Sequence, residues 1–434
     1  MYIAVSNSIR PQMSRLFQLP VELVEIIASF LPPEDLFNLR LTCCELSTKT
    51  FHYFTQEHFT IKQFFPSLYG LKALLAISKS RLRESLRTVV LGPHDFSSAS
   101  LLELARDEKK QIQQGYLRYN NENQYMRQTG LDAIILQEAF ANLPNCSTLE
   151  IRDYSRIKPG TDWFHPLSGY DFHPLSSYGQ SQFSEVAAIS NFREDTTTYA
   201  RIFTIALHAA ATAKLPLESA IINYKARINQ SPPSLPSPRW FDPSDCSLKK
   251  LLRLHLCITC FAHIWEPRWA DTVDSIVQFF ILAPNINRLG LDLGFRRSGH
   301  LFLMGLANAL DFGNITTLDL SRIFTDNYSI FYLFTRLSKI SCLNLCGVEA
   351  YESMRDIFEF IRDKMQLKKI SGRYLHQDGF EIVFKSPRSE NGSDLSDCFC
   401  YEGPDIANFM NDLISSMVIG CKPYEKLLHL SPQD

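Results

Sequence analysis

The chain has 434 residues, of which 45% are hydrophobic, 12% aromatic and 21% charged, with 22 prolines. That length exceeds what one core supports and the composition excludes a globally disordered chain, so several domains or an elongated repeat array are expected. A net charge of −2 leaves no surplus of Lys and Arg for a phosphate backbone, which argues against nucleic acid as a partner.

Met1 to Gln18 scatters Ser6, Asn7, Arg10, Pro11 and Arg15 among its apolar residues, leaving no continuous run for a secretion signal. The densest later apolar stretch, Ile276 to Ala283, is broken by Gln278 and is too short to span a bilayer. No membrane partner is expected, and the cytoplasm or nucleus is the expected location. The 11 cysteines lack the spacing of a secreted disulfide scaffold and read as reduced, mostly buried thiols.

From Leu19 the chain reads LPVELVEIIASFLPPEDLFNLRLTCCELSTKTFHYF. Pro20 suits a helix start, with Glu22 and Glu25 near the positive end of the dipole. Leu23, Ile26, Ile27 and Phe30 fall at i, i+3, i+4 and i+7, one stripe of a short amphipathic helix that Val24 and Leu31 widen. Pro32 and Pro33 end it. Glu34 and Asp35 open a second helix through Leu36 and Leu39, and Thr42 with Glu45 forms a capping box for a third. So small a unit is marginal alone, so a partner should cover part of its apolar surface. On periodicity alone, the segment fits equally a helical hairpin at the edge of a larger domain.

Leu19-Pro20, Glu22-Leu23, Ile26, Phe30-Leu31-Pro32, Glu34-Asp35-Leu36, Leu39, Leu41, Cys43 and Leu46 stand in the order and spacing of an F-box, which the segment from Leu16 to about Phe54 resembles. The resemblance implies a three-helix module that docks on the Skp adaptor and, through it, on cullin. It nominates Leu19, Pro20, Leu23, Ile26, Ile27, Leu31, Leu36 and Leu39 as docking residues. The family often has an aromatic near the position held here by Leu46.

Farther along, an apolar triplet φxxφxφ recurs at Leu86-Val89-Leu91, Cys146-Leu149-Ile151, Leu251-Leu254-Leu256, Ile286-Leu289-Leu291, Ile315-Leu318-Leu320 and Ile340-Leu343-Leu345. It resembles the core of a leucine-rich repeat. Helical spacing fills the gaps over Trp269 to Leu282, His300 to Leu310, Asn327 to Leu337 and Ser353 to Met365. Alternating strand and helix imply an α/β fold: an N-terminal three-helix F-box followed by an irregular leucine-rich-repeat-like solenoid. The ninth repeat position holds His94, Tyr154, Thr259, Gly294, Ile323 and Val348 rather than Asn or Cys, so no buried amide ladder is expected. A non-repeat α/β domain whose strands share a pattern is the competing reading.

The expected division is 14–56 F-box, 57–157 first irregular repeats, 158–240 a loop-rich insertion with a helix, 241–385 the repeat-like region, and 386–434 a polar linker with a capping helix. The insertion carries a near-duplication, Phe164 to Tyr170 against Phe172 to Tyr178. Ser231 to Pro238 and Ser386 to Asp397 read as polar linkers, and Asp405 to Ile419 as the cap.

A P-loop, a dinucleotide glycine fingerprint, a GxSxG elbow and an HExxH pair are absent, so no enzyme activity and no cofactor are expected. His255, Cys257, Cys260 and His263 are zinc-competent residue types without a second CxxC, and no metal is expected. Strand alternation turns Arg253, His255 and Cys257, Arg288 and Asp292, Thr317, Asp319 and Ser321, and Cys342, Asn344 and Cys346 to one face. Arg253, His255, Arg288, Asp292, Asp319 and Asn344 are the candidate contacts for a protein target. The expected role is the substrate-recognition subunit of a Skp–cullin–F-box ubiquitin ligase, with an F-box scaffold acting outside any ligase as the alternative.

Overall fold

A computed structural model of the chain describes residues 15–64, 66–92, 121–122, 124–152, 196–223, 246–257, 267–296, 299–310, 313–385 and 395–423. The near-duplicated segment, the 231–238 linker, and Cys260 and His263 lie outside them.

Four short helices come first: α1 (Val21–Ser29), α2 (Pro33–Thr42), α3 (Cys44–Lys49) and α4 (Phe51–Phe59). Pro33 occupies the first turn of α2, where its missing N–H removes no hydrogen bond. The expected capping box does not form. Thr42 is the last residue of α2 and its hydroxyl donates to the Leu39 carbonyl (2.7 Å). Cys43 instead caps α3, its Sγ accepting from the Leu46 N–H at 3.4 Å.

Beyond α4 the chain builds one sheet whose strands follow in chain order. They are β1 (Ile61–Phe64), β2 (Thr88–Leu91), β3 (Thr148–Arg152), β4 (Ser219–Asn223), β5 (Arg253–Cys257), β6 (Arg288–Arg296), β7 (Thr317–Thr325), β8 (Cys342–Ala350) and β9 (Lys369–Arg373). Each pairs in parallel with the next. Parallel neighbours need a crossover, and helices supply it at Leu68–Ser78, Leu131–Ala141, Thr196–Thr212, Pro267–Leu282, Gly299–Ala309, Asn327–Arg336 and Met354–Lys364. The four expected C-terminal helices are present to within two residues at each end.

All six apolar triplets are buried in one continuous core. Two further units follow the same logic in disguise. Leu217, Ala220 and Ile222 occupy the triplet positions of β4, and Leu367, Ile370 and Gly372 those of β9, where the Phe399 ring fills the space above Gly372. The segment 158–240 is therefore not simply an insertion, because its helix and β4 form a full unit of the sheet.

A backbone device repeats at the start of each strand from β1 to β8. The carbonyl of Thr60 accepts the N–H groups of both Arg87 and Thr88. Arg87, Ser147, Glu218, Leu252, Asn287, Thr316 and Ser341 each accept two N–H groups from the following unit in the same way. In β7 and β8 the ninth repeat position is a buried apolar pair, Ile323 against Val348, so these strands run on to nine residues.

Residues 386–394 of the expected linker lie outside the described residues, and the helix expected over Asp405 to Ile419 is present as Ile406–Ser416, joined by strands not expected from the sequence. β10 (His376–Gln377) and β11 (Phe380–Lys385) continue the sheet from β8, and β12 (Leu395–Ser396) joins β11. β13 (Cys398–Glu402) pairs antiparallel with β9. The last helix, Ile406–Ser416, gives way to β14 (Met417–Pro423), antiparallel to β11. This hydrogen-bonded pairing covers edges that would otherwise be free.

Candidate interaction surfaces: the helical module and the polar sheet face

Within the first four helices, the apolar residues divide between an inner and an outer set. Ala28, Leu36, Phe54 and Phe59 form a small separate core, with Leu31, Phe37 and Tyr53 partly buried against it. Ile77 and Leu82, from the first unit of the sheet region, pack on the same core. The outer set is Val21, Leu23, Ile26, Ile27, Phe30 and Leu41. Phe30 is 82% and Leu41 83% exposed. Isolated exposed Leu or Ile residues are ordinary, but this many on one small module make an exposed apolar surface of the kind that marks interaction sites.

The stripe Leu23, Ile26, Ile27 and Phe30 thus faces outward, while Val24 and Ala28 make the inner contacts of α1. Of the nominated docking residues, Pro20, Leu23, Ile26 and Ile27 are exposed, and Leu19, Leu31 and Leu39 are half-buried. Leu36 is a correction: at 1% exposure it belongs to the module's own core. Val21, Phe30 and Leu41 join the surface instead. For Val21 and Phe30 the signal was position relative to Val24 and Ala28 on α1, since a helix of nine residues has room for only one narrow inner stripe.

Polar contacts hold the outer helices in place. Glu25 on α1 accepts the Tyr53 N–H (3.1 Å) in the first turn of α4, where donors are free and the dipole favours an anion. Lys49 donates to the Leu19 carbonyl at 3.1 Å and pairs with Glu45 at 2.9 Å. Arg40 donates to the Ser47 carbonyl and to Thr50 Oγ1, both at 2.9 Å.

The second surface is the sheet face opposite the helices. The register aligns Glu150, Ile221, His255, Gly290, Asp319, Asn344 and Ser371 in one row across β3 to β9. Ser219, Arg253, Arg288, Thr317, Cys342 and Lys369 form the row before it, and Cys257, Asp292, Ser321, Cys346 and Arg373 the row after. All six candidate target contacts therefore share this face.

Hydrogen bonds run along the face. Arg288 donates to Asp319 in a forked pair at 2.7 and 3.3 Å, Asn344 donates to the same Oδ1 that accepts Arg288 Nη2, and Ser371 Oγ donates to Asn344 Oδ1 at 2.6 Å. Arg322 holds Asp292 through contacts of 2.6 to 3.0 Å. Arg322 adopts φ 50°, a conformation that costs a side chain on the order of 1 kcal/mol, at the irregularity between β6 and β7. Glu150 and Arg152, two residues apart on β3, form a buried fork at 2.7 and 2.6 Å.

Burial, reinforced by Arg288 and opposed by Asp319 and Glu150, lowers the pKa of Arg253. Burial likewise lowers His255, against the opposing pull of Asp292 and Asp319. Cys342 is raised by burial and by Asp319. Among the described residues no group of three or more His, Cys, Asp or Glu is arranged to hold a metal ion, and no helix is long and apolar enough to cross a membrane.

Residues 16–48 match the family model for the F-box domain. The match covers α1, α2 and most of α3, the elements that carry the exposed apolar surface. F-box domains typically bind the Skp adaptor and, through it, cullin, as members of ubiquitin ligase complexes. No curated protein matches the chain.

Proposed function

We propose that this chain is the substrate-recognition subunit of a Skp–cullin–F-box ubiquitin ligase. Its F-box docks on the Skp adaptor, and its irregular leucine-rich-repeat-like array binds a protein target. The observation that carries the reading is the exposed apolar set Val21, Leu23, Ile26, Ile27, Phe30 and Leu41 on a matched F-box domain. Burying such side chains against an adaptor contributes roughly 1.5–3 kcal/mol each at most.

The join between module and array supports the same reading. Only Thr60 separates α4 from β1, and its carbonyl is the first of the repeated two-donor acceptors. Ile77 and Leu82 also extend the module's core into the first unit. A receptor acts by proximity, raising the effective concentration of a target lysine beside the charged conjugating enzyme. A stiff join suits that role because it limits the volume the target explores. No chemistry is assigned to the chain itself, and cytoplasm or nucleus remains the proposed location.

The test is co-purification of the full chain with adaptor and cullin, in wild type and in Leu23→Asp with Ile26→Asp. The receptor reading requires both partners with wild type and neither with the variant. Adaptor without cullin would support a scaffold acting outside a ligase, and absence of both would reject the F-box assignment of function.

A further inference from the structure

On the polar sheet face, the groups from β6 to β9 satisfy one another through Arg288, Asp319, Asn344 and Ser371. The exception lies on β4 and β5. Ser219 Oγ, Arg253 Nε and His255 Nδ1 are closed to solvent and have no hydrogen-bond partner among the described residues. Ser219 and Arg253 are direct partners across the two strands, and His255 lies on the same side two residues further on. Buried polar atoms without partners are costly and uncommon; these atoms stay sealed, so a bound group is reached through the rest of the half-buried Arg253 guanidinium.

The surrounding charge specifies that group. Glu150 is matched by Arg152 on one flank and Asp319 by Arg288 on the other, which leaves Arg253 between them without an ion pair among the described residues. The His255 ring occupies the space over Gly290, where a Cβ would stand 2.0 Å from its Nδ1, so the backbone of β6 seats the imidazole beside Arg253. From this arrangement we infer that Arg253, flanked by Ser219 and His255, anchors one carboxylate side chain, Asp or Glu, of the bound protein target. The inference rests on the reading of this face as the target-binding surface.

A phosphate dianion fits the spot less well. Arg152 and Arg288 are already engaged, and the carboxylates of Glu150 and Asp319 flank the position, so one unpaired guanidinium balances a monoanion. Its planar fork matches carboxylate geometry, a match that an ammonium group lacks.

The test is selection of short random displayed peptides on the full chain bound to its Skp adaptor. The selected peptides are expected to share an Asp or Glu at one position. Changing that residue to its amide weakens binding about tenfold, and Arg253→Gln does the same to the unchanged peptide. The two changes together cost no more than either alone, since each removes the same contact. Arg253→Lys recovers only part of the loss. The peptide-side change keeps the test independent of any folding defect in the Arg253 variants.

Peptides without an acidic consensus, additive losses, tighter binding of phosphoserine in place of the acid, or failure to select any peptide would each overturn the assignment. Peptides that lack an acid yet are weakened by Asn344→Ala would leave the target face standing and remove only the carboxylate. Selected peptides indifferent to Asn344→Ala and Arg288→Ala would remove both.

Discussion

The guanidinium carbon of Arg40 lies 3.8 Å from the centre of the Phe54 ring, joining α2 to the helix that leads into the sheet. Phe54 also stacks edge-on with Phe37 at 5.9 Å, and Arg81, from beyond β1, lies 4.1 Å over the neighbouring Phe51 ring. Burial and the nearby Arg81 charge lower Arg40 to about 10, so it stays cationic at neutral pH. Two cations over two aromatic rings therefore bind the helical module to the first unit of the array. That contact ties the module to the sheet region at their join.

Arg40→Ala removes the stacked cation and leaves the Ser47 carbonyl and Thr50 hydroxyl without their donor. The expected loss is about 2 kcal/mol of stability, read as a lower midpoint in urea unfolding. Arg40→Lys keeps the charge without the planar fork, and recovers less than half of the loss.

Leu23→Asp and Ile26→Asp fall on exposed positions, so the thermal midpoint should stay within about 2 °C of wild type while adaptor capture is lost. Leu36→Ala does the reverse in order of cause. It opens the small core, costs about 2–4 kcal/mol, and weakens adaptor binding only as far as the module unfolds. Calorimetry alongside adaptor titration separates the two behaviours.

Gly372→Ala places a methyl 2.4 Å from the Phe399 ring, and Gly290→Ala places one 2.0 Å from His255. Neither ring can stay where it is. Each change is expected to cost about 1–3 kcal/mol by overpacking. For Gly372 the loss should be accompanied by faster amide exchange in β13, which pairs with β9 at Gly372 through Phe399.

Asp319 accepts from both Arg288 and Asn344. Asp319→Ala strands a partly buried guanidinium and an amide, at a cost of about 2–4 kcal/mol. Asn344→Ala removes one neutral donor and is expected to cost about 1 kcal/mol. If the two single variants proved equally destabilising, the shared carboxylate would not be the centre of the row.

Burial lowers His376 to about 4 against an ordinary value of 6.5, with the Tyr374 backbone opposing. His255 shifts in the same direction. The unfolded chain therefore binds protons that the folded one refuses, and stability is full above about pH 6.5 and falls as the pH drops toward 4. One such group contributes up to about 1.4 kcal/mol per pH unit in that window. Urea midpoints at pH 7.5 and 5, in wild type and His376→Gln, check the sign: the variant should lose less on acidification.

Much of the array is legible in the chain because a buried parallel strand needs apolar residues at fixed offsets, and six triplets carry them plainly. The units at β4 and β9 escape that reading since Ala220 and Gly372 occupy triplet positions, and at Gly372 the missing volume is supplied by the distant Phe399. Alternation along each strand likewise determined that Arg253, His255, Arg288, Asp292, Asp319 and Asn344 share a face.

The helical module was recognisable from its spacing, yet its periodicity could not say which apolar stripe turns inward. A helix as short as α1 offers two equally apolar sides, and only the packing of Ala28 and Leu36 against Phe54 and Phe59 selected one and left Leu23, Ile26, Ile27 and Phe30 outside. Pairing partners on the polar face were decided the same way. Residue type fixes what a side chain can donate or accept, but the lateral register of strands some 30 residues apart determines that Arg288 pairs with Asp319 while Arg253 forms no ion pair among the described residues.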